Sequence, residues 1–314
     1  MRRQHAQYDS LIQACQSLPP IRTAVVHPCD ASSVEAAVAA ANGKLIEPVL
    51  VGPQARIREV AAKSQLDIAH FEVVNAPHSH AAAAKAVGLA RSGAVSALMK
   101  GSLHTDELMA EVVQGASGLR TGRRISHVFV MDVPTYPKPL FITDAAVNLF
   151  PSLEDKVDIA QNAIDLTHAL GLQLPKVAIL SALETITSRI PSTIDAAALC
   201  KMADRGQITG ALLDGPLALD NAINQEAAVA KSIKSAVAGD ADILLVPTLE
   251  AGNMLVKDLT FLANADAAGI VLGAQVPIIL TSRADSVRAR LASCAVAALY
   301  SSSQGMRART ALNV

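Results

Sequence analysis

The chain repeats one hydrophobic pattern: short β-branched runs alternate with longer Ala-rich stretches that have helical spacing. Such an alternation is typical of βα units that build a parallel sheet. Each apolar run is predicted to be a strand, and the predicted strands are 23–26, 48–51, 72–74, 96–99, 177–180, 210–213, 243–246, 269–272 and 276–280. Helices are predicted between most of these strands. The pattern therefore predicts an α/β protein with mostly parallel sheets.

The middle of the chain departs from this pattern. Two apolar runs, 127–131 and 139–143, are separated only by a Pro-rich segment that is too short for a helical crossover. They are therefore predicted to form an antiparallel hairpin. A helix is predicted after the hairpin, over 153–170.

Length, composition and charge exclude some functions. With 314 residues, 51% of them hydrophobic and 18% charged, the chain is too apolar for disorder and long enough for two domains. No Gly/Ser or Pro linker separates such domains, so we expect them to dock closely, with the ligand in the cleft between them. A formal net charge of -1 and a chain without Trp argue against a nucleic acid partner.

Several common motifs are missing from the sequence. No apolar run reaches the ~20 residues of a membrane span, and the N-terminal residues lack the apolar part of a secretory signal. We therefore expect a cytoplasmic protein with no membrane partner.

The sequence also lacks three common catalytic motifs: GxGxxG after the first strand, GxxxxGK[ST] and HExxH. Their absence argues against a Rossmann dehydrogenase, a P-loop kinase and a zinc site. The cysteines are far apart and are expected to be free thiols: Cys15, Cys29, Cys200 and Cys294.

Polar or Gly-rich residues follow several predicted strands, at the edge where parallel α/β sheets bind ligands. Taken singly, each is ordinary turn chemistry; together, at the same edge of two sheets, they are consistent with a ligand cleft. The candidates are Lys100, Asp144, Asn148, Asp214, Gly252 and Asn253.

Two further segments carry cations. Residues 281–286 lie between the last predicted strand and a closing helix, where helix N–H groups and the bidentate fork of Arg283 suit a phosphate or a carboxylate. The alternative is that Ser282 and Asp285 only cap the helix and that Arg283 forms a surface ion pair. Residues 120–124 hold three Arg, which fits either a solvated loop or a site for the phosphates of coenzyme A.

At these residues the sequence resembles the phosphate acetyltransferase and phosphate butyryltransferase family, with a closer likeness to the butyryltransferase branch. The resemblance runs over about 21–300. Its strongest strings are TDAAVN at 143–148, DGPLALD at 214–220, EAGN at 250–253 and PIILTSRADS at 277–286.

The resemblance implies a fold and an activity. The implied fold has two three-layer α/β/α domains, 1–140 with 277–314 and 141–276, with a cleft between them, usually in a homodimer. The implied reaction is the reversible transfer of a short-chain acyl group between coenzyme A and inorganic phosphate. Its partners are acyl-CoA, coenzyme A and phosphate, and it requires no metal or other cofactor.

By the same resemblance, Ser282 and Arg283 match the family's Ser-Arg pair, whose Arg holds phosphate and the acyl oxygen. The chemistry agrees, because a fixed guanidinium stabilises the negative charge that develops on the carbonyl oxygen and on the leaving phosphate. Asn253 and Gly252 are expected to line the same cleft. One Arg of 120–124, either Arg120 or Arg124, is expected to contact phosphate or coenzyme A.

The chain departs from the acetate branch at two positions. Ala289 stands where that branch has an Asp proposed to take the thiol proton, and Asp285 is the nearest carboxylate. Ala145 stands where it has a Cys. A thiol with a pKa of about 8.5 is partly ionised at neutral pH, so catalysis without a dedicated base stays open. We therefore expect phosphate to attack the thioester directly in a ternary complex.

Two other functions stay open on the sequence. One is a non-catalytic or regulatory acyl-CoA-binding protein of the same fold, because Ala289 leaves the acid–base machinery incomplete. The other is an oxidoreductase that acts on hydroxy acids with a related two-domain fold, although the sequence lacks the acidic metal clusters and the cofactor loop that this reaction needs.

Overall fold

A computed structural model describes the backbone of residues 6–281 and 285–312, and the side chains of 8–281 and 285–305. Strands and helices are numbered in chain order. The strands are β1 (Ile21–Val26), β2 (Ile46–Gly52), β3 (Glu72–Asn75), β4 (Ala97–Lys100), β5 (Ser126–Asp132), β6 (Leu140–Thr143), β7 (Lys176–Leu180), β8 (Leu212–Leu217), β9 (Ile243–Leu245), β10 (Asp266–Leu272) and β11 (Ile278–Ile279). The helices are α1 (Ala6–Cys15), α2 (Ala31–Asn42), α3 (Gln54–Lys63), α4 (Ser79–Arg91), α5 (Thr105–Val112), α6 (Leu153–Ala169), α7 (Pro191–Asp204), α8 (Leu219–Ile223), α9 (Gln225–Ala230), α10 (Leu249–Phe261) and α11 (Val287–Leu312).

The chain divides into two compact units. We call Tyr8–Arg123 with Ala268–Val314 the terminal unit, and Met1–Gln7 with Arg124–Ala267 the central unit. In each unit, mostly parallel strands alternate with helices, so the predicted α/β class is confirmed.

The terminal unit orders its strands β3-β2-β1-β4-β11-β10. Pairing is parallel from β3 to β11, and β10 runs antiparallel to β11. Helix α2 begins where Oδ1 of Asp30 accepts a hydrogen bond from the Ser33 amide at 2.8 Å, which satisfies a free N–H of the first turn. Helix α4 buries only small side chains, so it can pack close to the sheet: Ala82, Ala83, Ala86, Val87 and Ala90.

The central unit orders its strands β5-β6-β9-β7-β8. Strands β5 and β6 pair antiparallel, which confirms the predicted hairpin, and the other pairs are parallel. Its buried core contains Met131, Leu140, Ile142, Ala178 and Leu244. Helix α6 follows the hairpin as predicted and begins with a capping box, in which Ser152 and Asp155 each accept a hydrogen bond from the other's backbone amide.

The limits of the two units differ from the domain limits predicted from the sequence. The predicted limits at 140/141 and 276/277 separate β5 from β6, whereas the compact units keep both strands together because they are hydrogen-bonded. The domain limits stay a prediction.

Two predicted loops are wrong. Residues Asp214, Gly215 and Pro216 were expected to turn after a strand, but they lie inside β8, where Asp214 pairs with Ala178 of β7. Pro216 has no amide hydrogen. It is tolerated here because β8 is an edge strand, and on the open side of an edge strand there is no neighbouring strand that would accept a hydrogen bond. Gly252 and Asn253 were expected in a loop after a strand, but they lie in α10, whose first turn is capped by Thr248.

All four cysteines are free thiols, and three of them, Cys15, Cys29 and Cys294, are buried. Among the described helices, none combines the length and the apolar character needed to cross a bilayer.

Candidate functional site

The turn after β6 is organised by one buried carboxylate. Oδ1 of Asp144 accepts hydrogen bonds from the amides of Ala146 at 2.9 Å and Val147 at 3.0 Å, and Oδ2 accepts one from the Asn148 amide at 3.1 Å. An Asp side chain that binds the following backbone amides in this way folds a tight turn locally. The predicted strand-end residues Asp144 and Asn148 are therefore in one turn.

Asn148 connects this turn to Arg124. Its Nδ2 donates to Oδ2 of Asp144 at 2.5 Å and to the carbonyl of Ile125 at 2.9 Å, while its Oδ1 accepts from Nε of Arg124 at 2.7 Å. Asp155 of α6 lies 3.5 Å from the same Nε. The structure thus brings Arg124, Asn148 and Asp144 together, and it holds a half-exposed guanidinium in a fixed orientation.

Burial dominates the electrostatics of Asp144. Burial raises the pKa of this carboxyl above its usual range, while hydrogen bonds from Ala146, Asn148, Val147 and the His127 amide act in the opposite direction. Because all of these partners donate, they favour the ionised form. Asp144 therefore serves as an acceptor that orders the turn, and it is 3% exposed.

Helix α10 lies against the same turn. The side-chain amide of Asn253 donates to the carbonyl of Ala145 at 3.2 Å. A Cβ at Gly252 would lie 2.8 Å from Cβ of Ala145 and 2.7 Å from Cγ2 of Val246, so glycine is needed for this close approach. Gly252 and Asn253 thus join Asp144, although by helix packing and not through the loop that the sequence indicated.

We expect Gly252→Ala to lower the free energy of unfolding and to reduce activity. The added methyl group would lie 2.8 Å from Cβ of Ala145 and 2.7 Å from Cγ2 of Val246, so the cost should be in the upper part of the ~1–3 kcal/mol range for overpacking, whereas the gain in helix propensity is at most about 1 kcal/mol. Thermal melting and turnover measure the two effects. Gly88→Ala in α4 is the matched control, because nothing lies within 4 Å of its added Cβ, and it should stabilise the protein. Equal melting temperatures for wild type and Gly252→Ala would contradict the packing argument.

Lys100 is in the terminal unit, at the carboxyl end of β4 as predicted, and it is 7% exposed. It lines a small cavity of about 10 Å³ at this sheet edge together with Asp30, Ser32, Ser33, Met99, Gly101, Thr281 and Arg290. Burial raises the pKa of Asp30, but hydrogen bonds from Ser33 and Ser32 and the charge of Arg290 outweigh it, so that this pKa lies below its usual range. The cavity therefore combines two cations with one carboxylate.

The remaining candidates are placed as follows. Ser282 and Arg283 lie outside the described residues, and half-buried Asp285 lies just before α11. Ser286 caps this helix by accepting from the Ala289 amide at 3.1 Å. The Arg120 side chain is exposed in the terminal unit, where its backbone pairs with Ala274.

Asp214 does not join the Asp144 turn. Two strands, β9 and β7, lie between β6 and β8, which corresponds to ~14 Å at ~4.8 Å per strand. Its carboxylate accepts instead from the Gly215 amide at 2.8 Å.

One polar pair at the ends of β1 and β4, His27 and Ser102, was not predicted from the sequence. Nδ1 of His27 lies 3.2 Å from Oγ of Ser102. The rule that selected Lys100, a polar residue directly after a predicted strand, applies equally to His27. Within the described part of the chain, no group of three or more His, Cys, Asp or Glu side chains is arranged to hold a metal ion.

The chain is similar to known phosphate acyltransferases. Residues 79–298 match the family model described as "Phosphate acetyl/butaryl transferase". A protein from Rhizobium meliloti named phosphate acetyltransferase is 67% identical over 95% of this chain and 94% of its own. One from Clostridium beijerinckii named phosphate butyryltransferase is 41% identical over 93% of this chain and 97% of its own. These identities do not support the closer likeness to the butyryltransferase branch.

The fold has a solved counterpart. The crystal structure of a branched-chain phosphotransacylase from Enterococcus faecalis V583 superposes with a TM-score of 0.79 at 29% identity, covering 90% of this chain and 99% of that one. The matches in sequence and in structure thus agree over nearly the whole chain. This chain is a member of the phosphate acetyl/butyryl transferase family.

Proposed function

We propose that this protein catalyses the reversible transfer of a short-chain acyl group between coenzyme A and inorganic phosphate. The observation that carries the proposal is the 67% identity, over 95% of the chain, to a relative named phosphate acetyltransferase. A catalytically inactive acyl-CoA-binding protein is not favoured, because the matched relatives are named as enzymes.

The proposed site combines anion-binding groups with residues that order them. Arg283 and Ser282 hold phosphate and the developing oxyanion, and Lys100 adds a cation at the end of β4. In the central unit, the contact of Arg124 with Asn148 supports a second anion contact, since its guanidinium is half exposed and held at 2.7 Å. Exposed Arg120 suits a phosphate of coenzyme A. Asp285 is the carboxylate that we group with Arg283 and Ser282 as catalytic residues. Gly252 and Asn253 of α10 support the turn after β6.

We propose direct attack of phosphate on the thioester in a ternary complex, without an acyl-cysteine intermediate. Burial raises the pKa of Cys200 and of Cys294 to about 12 and that of Cys15 to about 11, and it also raises the pKa of Cys29. The thiolate is the nucleophilic form of cysteine, so these four thiols are poor nucleophiles at neutral pH. Ala145, where the acetate branch has a Cys, is consistent with this mechanism.

The proposed setting is a cytoplasmic homodimer that acts on acyl-CoA, coenzyme A and phosphate and needs no further cofactor. Exposed apolar side chains on the central unit support an association: Phe150, Phe261 and Leu262 are 77%, 75% and 82% exposed.

A thiol-release assay tests the function. Purified protein is incubated with acetyl-, propionyl- or butyryl-CoA, with and without phosphate or arsenate. We expect thiol release that requires phosphate or arsenate, and the relative rates report the acyl preference. Tight acyl-CoA binding without turnover would instead indicate a binding protein, and NAD(P) reduction with a hydroxy acid would indicate an oxidoreductase.

A further inference from the structure

The loops after β1 and β4 are joined at the carboxyl edge of the terminal sheet. The Gly101 amide donates to the carbonyl of Val26 at 2.9 Å, and the Ser102 amide donates to the carbonyl of His27 at 3.0 Å. A Cβ at position 101 would lie 2.4 Å from the Val26 oxygen, so the approach requires glycine. His27 itself has a φ of 55°, a left-handed conformation that is uncommon for residues other than glycine and is found often at functional sites.

The hydrogen bonds of Ser102 assign the tautomer of His27. Oγ of Ser102 lies 2.7 Å from the His27 carbonyl, which can only accept, so the single hydroxyl proton is donated there. Oγ accepts from the Cys29 amide at 3.2 Å, and the 3.2 Å contact with Nδ1 of His27 therefore requires the proton on Nδ1. Neutral His27 thus carries its lone pair on Nε2. Among the residues described, Nε2 has no hydrogen-bond partner.

His27 lies near the segment that leads to Ser282 and Arg283. Strand β4 has β1 on one side and β11 on the other, so the Cα atoms of His27 and Thr281 are separated by about two strand spacings, or ~10 Å. Gly101, next to His27 through its bond to Val26, lines the same small cavity as Thr281. Gly101 therefore lies between His27 and Thr281, the residue at which that segment starts.

The surroundings of His27 keep its imidazole neutral at pH 7. Partial burial lowers its pKa below the usual value, and the charges of Arg56 on α3 and His78 before α4 lower it further. Glu107 on α5 and Asp30 before α2 raise it, but by less. A neutral imidazole with an available lone pair is a general base.

We propose that Nε2 of His27 accepts the proton of the coenzyme A thiol and that Ser102 is the positioning residue that orients the ring. This inference rests on the proposed function and supplies the base that Ala289 cannot. When acyl-CoA forms, the S–H bond breaks and its proton moves to Nε2, while sulfur bonds to the acyl carbon. The bond from that carbon to the phosphate oxygen breaks with its electron pair, and the departing phosphate takes the proton from the imidazolium.

The test is the pH dependence of His27→Asn, measured with acetyl phosphate and coenzyme A. The Asn amide nitrogen can still donate to Ser102, but no base remains at Nε2. A thiol with a pKa of ~8.5 is only ~3% ionised at pH 7, so we expect a rate about 30-fold below wild type at pH 7 and within a few-fold at pH 9. The wild-type rate should stay level down to pH 6.5, the ordinary histidine pKa, and should fall only at lower pH, because burial lowers the pKa of His27. Added imidazole should partly rescue His27→Ala.

Three results would overturn the inference. One is an unchanged rate in His27→Asn, and another is a loss by the same factor at every pH, which indicates a structural role. The third needs no variant: a wild-type rate that already falls tenfold per pH unit below 8.5 means that no base assists. His70→Asn, at an exposed position outside this edge, is the control and should match wild type. If the wild-type protein turned over neither acetyl phosphate with coenzyme A nor acyl-CoA with phosphate, the proposed function itself would be contradicted.

Discussion

Replacing Arg283 by Ala should lower the rate of acyl transfer at least ~100-fold, the usual effect of removing one charge-stabilising donor. The negative charge on the acyl oxygen and on the leaving phosphate grows in the transition state, so the loss of the Arg283 guanidinium should act mainly on kcat. Arg283→Lys should recover only part of the rate, because lysine keeps the charge but not the bidentate fork. Thiol release gives the rates.

The thermal midpoint of Arg283→Ala should stay close to that of wild type, which separates chemistry from folding. Arg58→Ala, which removes an exposed cation from α3, is the matched control and should leave the rate unchanged. If Arg283→Ala turned over within threefold of wild type, Arg283 would not be the group that stabilises the transition state.

Replacing Asp144 by Ala should destabilise the protein by ~3–5 kcal/mol, the range for breaking a buried charged network. The carboxylate accepts from the backbone amides of Ala146, Val147 and Asn148 and from the Asn148 side chain, at 2.5–3.1 Å. Without it, these donors are buried and unpaired. Asn148 then no longer orients Arg124, so activity should fall as well. Urea unfolding measures the stability.

Asp258→Ala is the control for this variant. Asp258 is exposed on α10, and its loss should change the free energy of unfolding by no more than ~0.5 kcal/mol. If the urea midpoints of Asp144→Ala and Asp258→Ala coincided, the turn after β6 would not depend on the carboxylate.

Hydrophobic periodicity predicts most of the fold, because buried parallel strands are short apolar runs and the hairpin strands are separated by too few residues for a crossover. It fails where Gly, Asn or Pro has a role other than turning. Gly252 is inside a helix because α10 must approach Ala145, and Pro216 is inside an edge strand. Neither contact is visible in a local window.

The sequence predicts which polar residues of the candidate site follow the strands, but it does not predict the hydrogen bonds that join them. Arg124 and Asn148 are 24 residues apart in sequence, and their hydrogen bond depends on how β5 and β6 pair. His27 and Ser102 are 75 residues apart and meet because β1 and β4 are neighbours. The order of the strands in the sheet decides which polar loops meet, and this order cannot be predicted from the spacing of residues along the chain.

The most direct measurement is the phosphorus NMR spectrum of a reaction of acetyl-CoA and phosphate with the purified protein. We expect one acyl phosphate to form for each thiol released, and we expect added coenzyme A to reverse the change. Thiol release without acyl phosphate would identify a hydrolase, and a spectrum that stays at inorganic phosphate with no thiol released would contradict acyl transfer altogether.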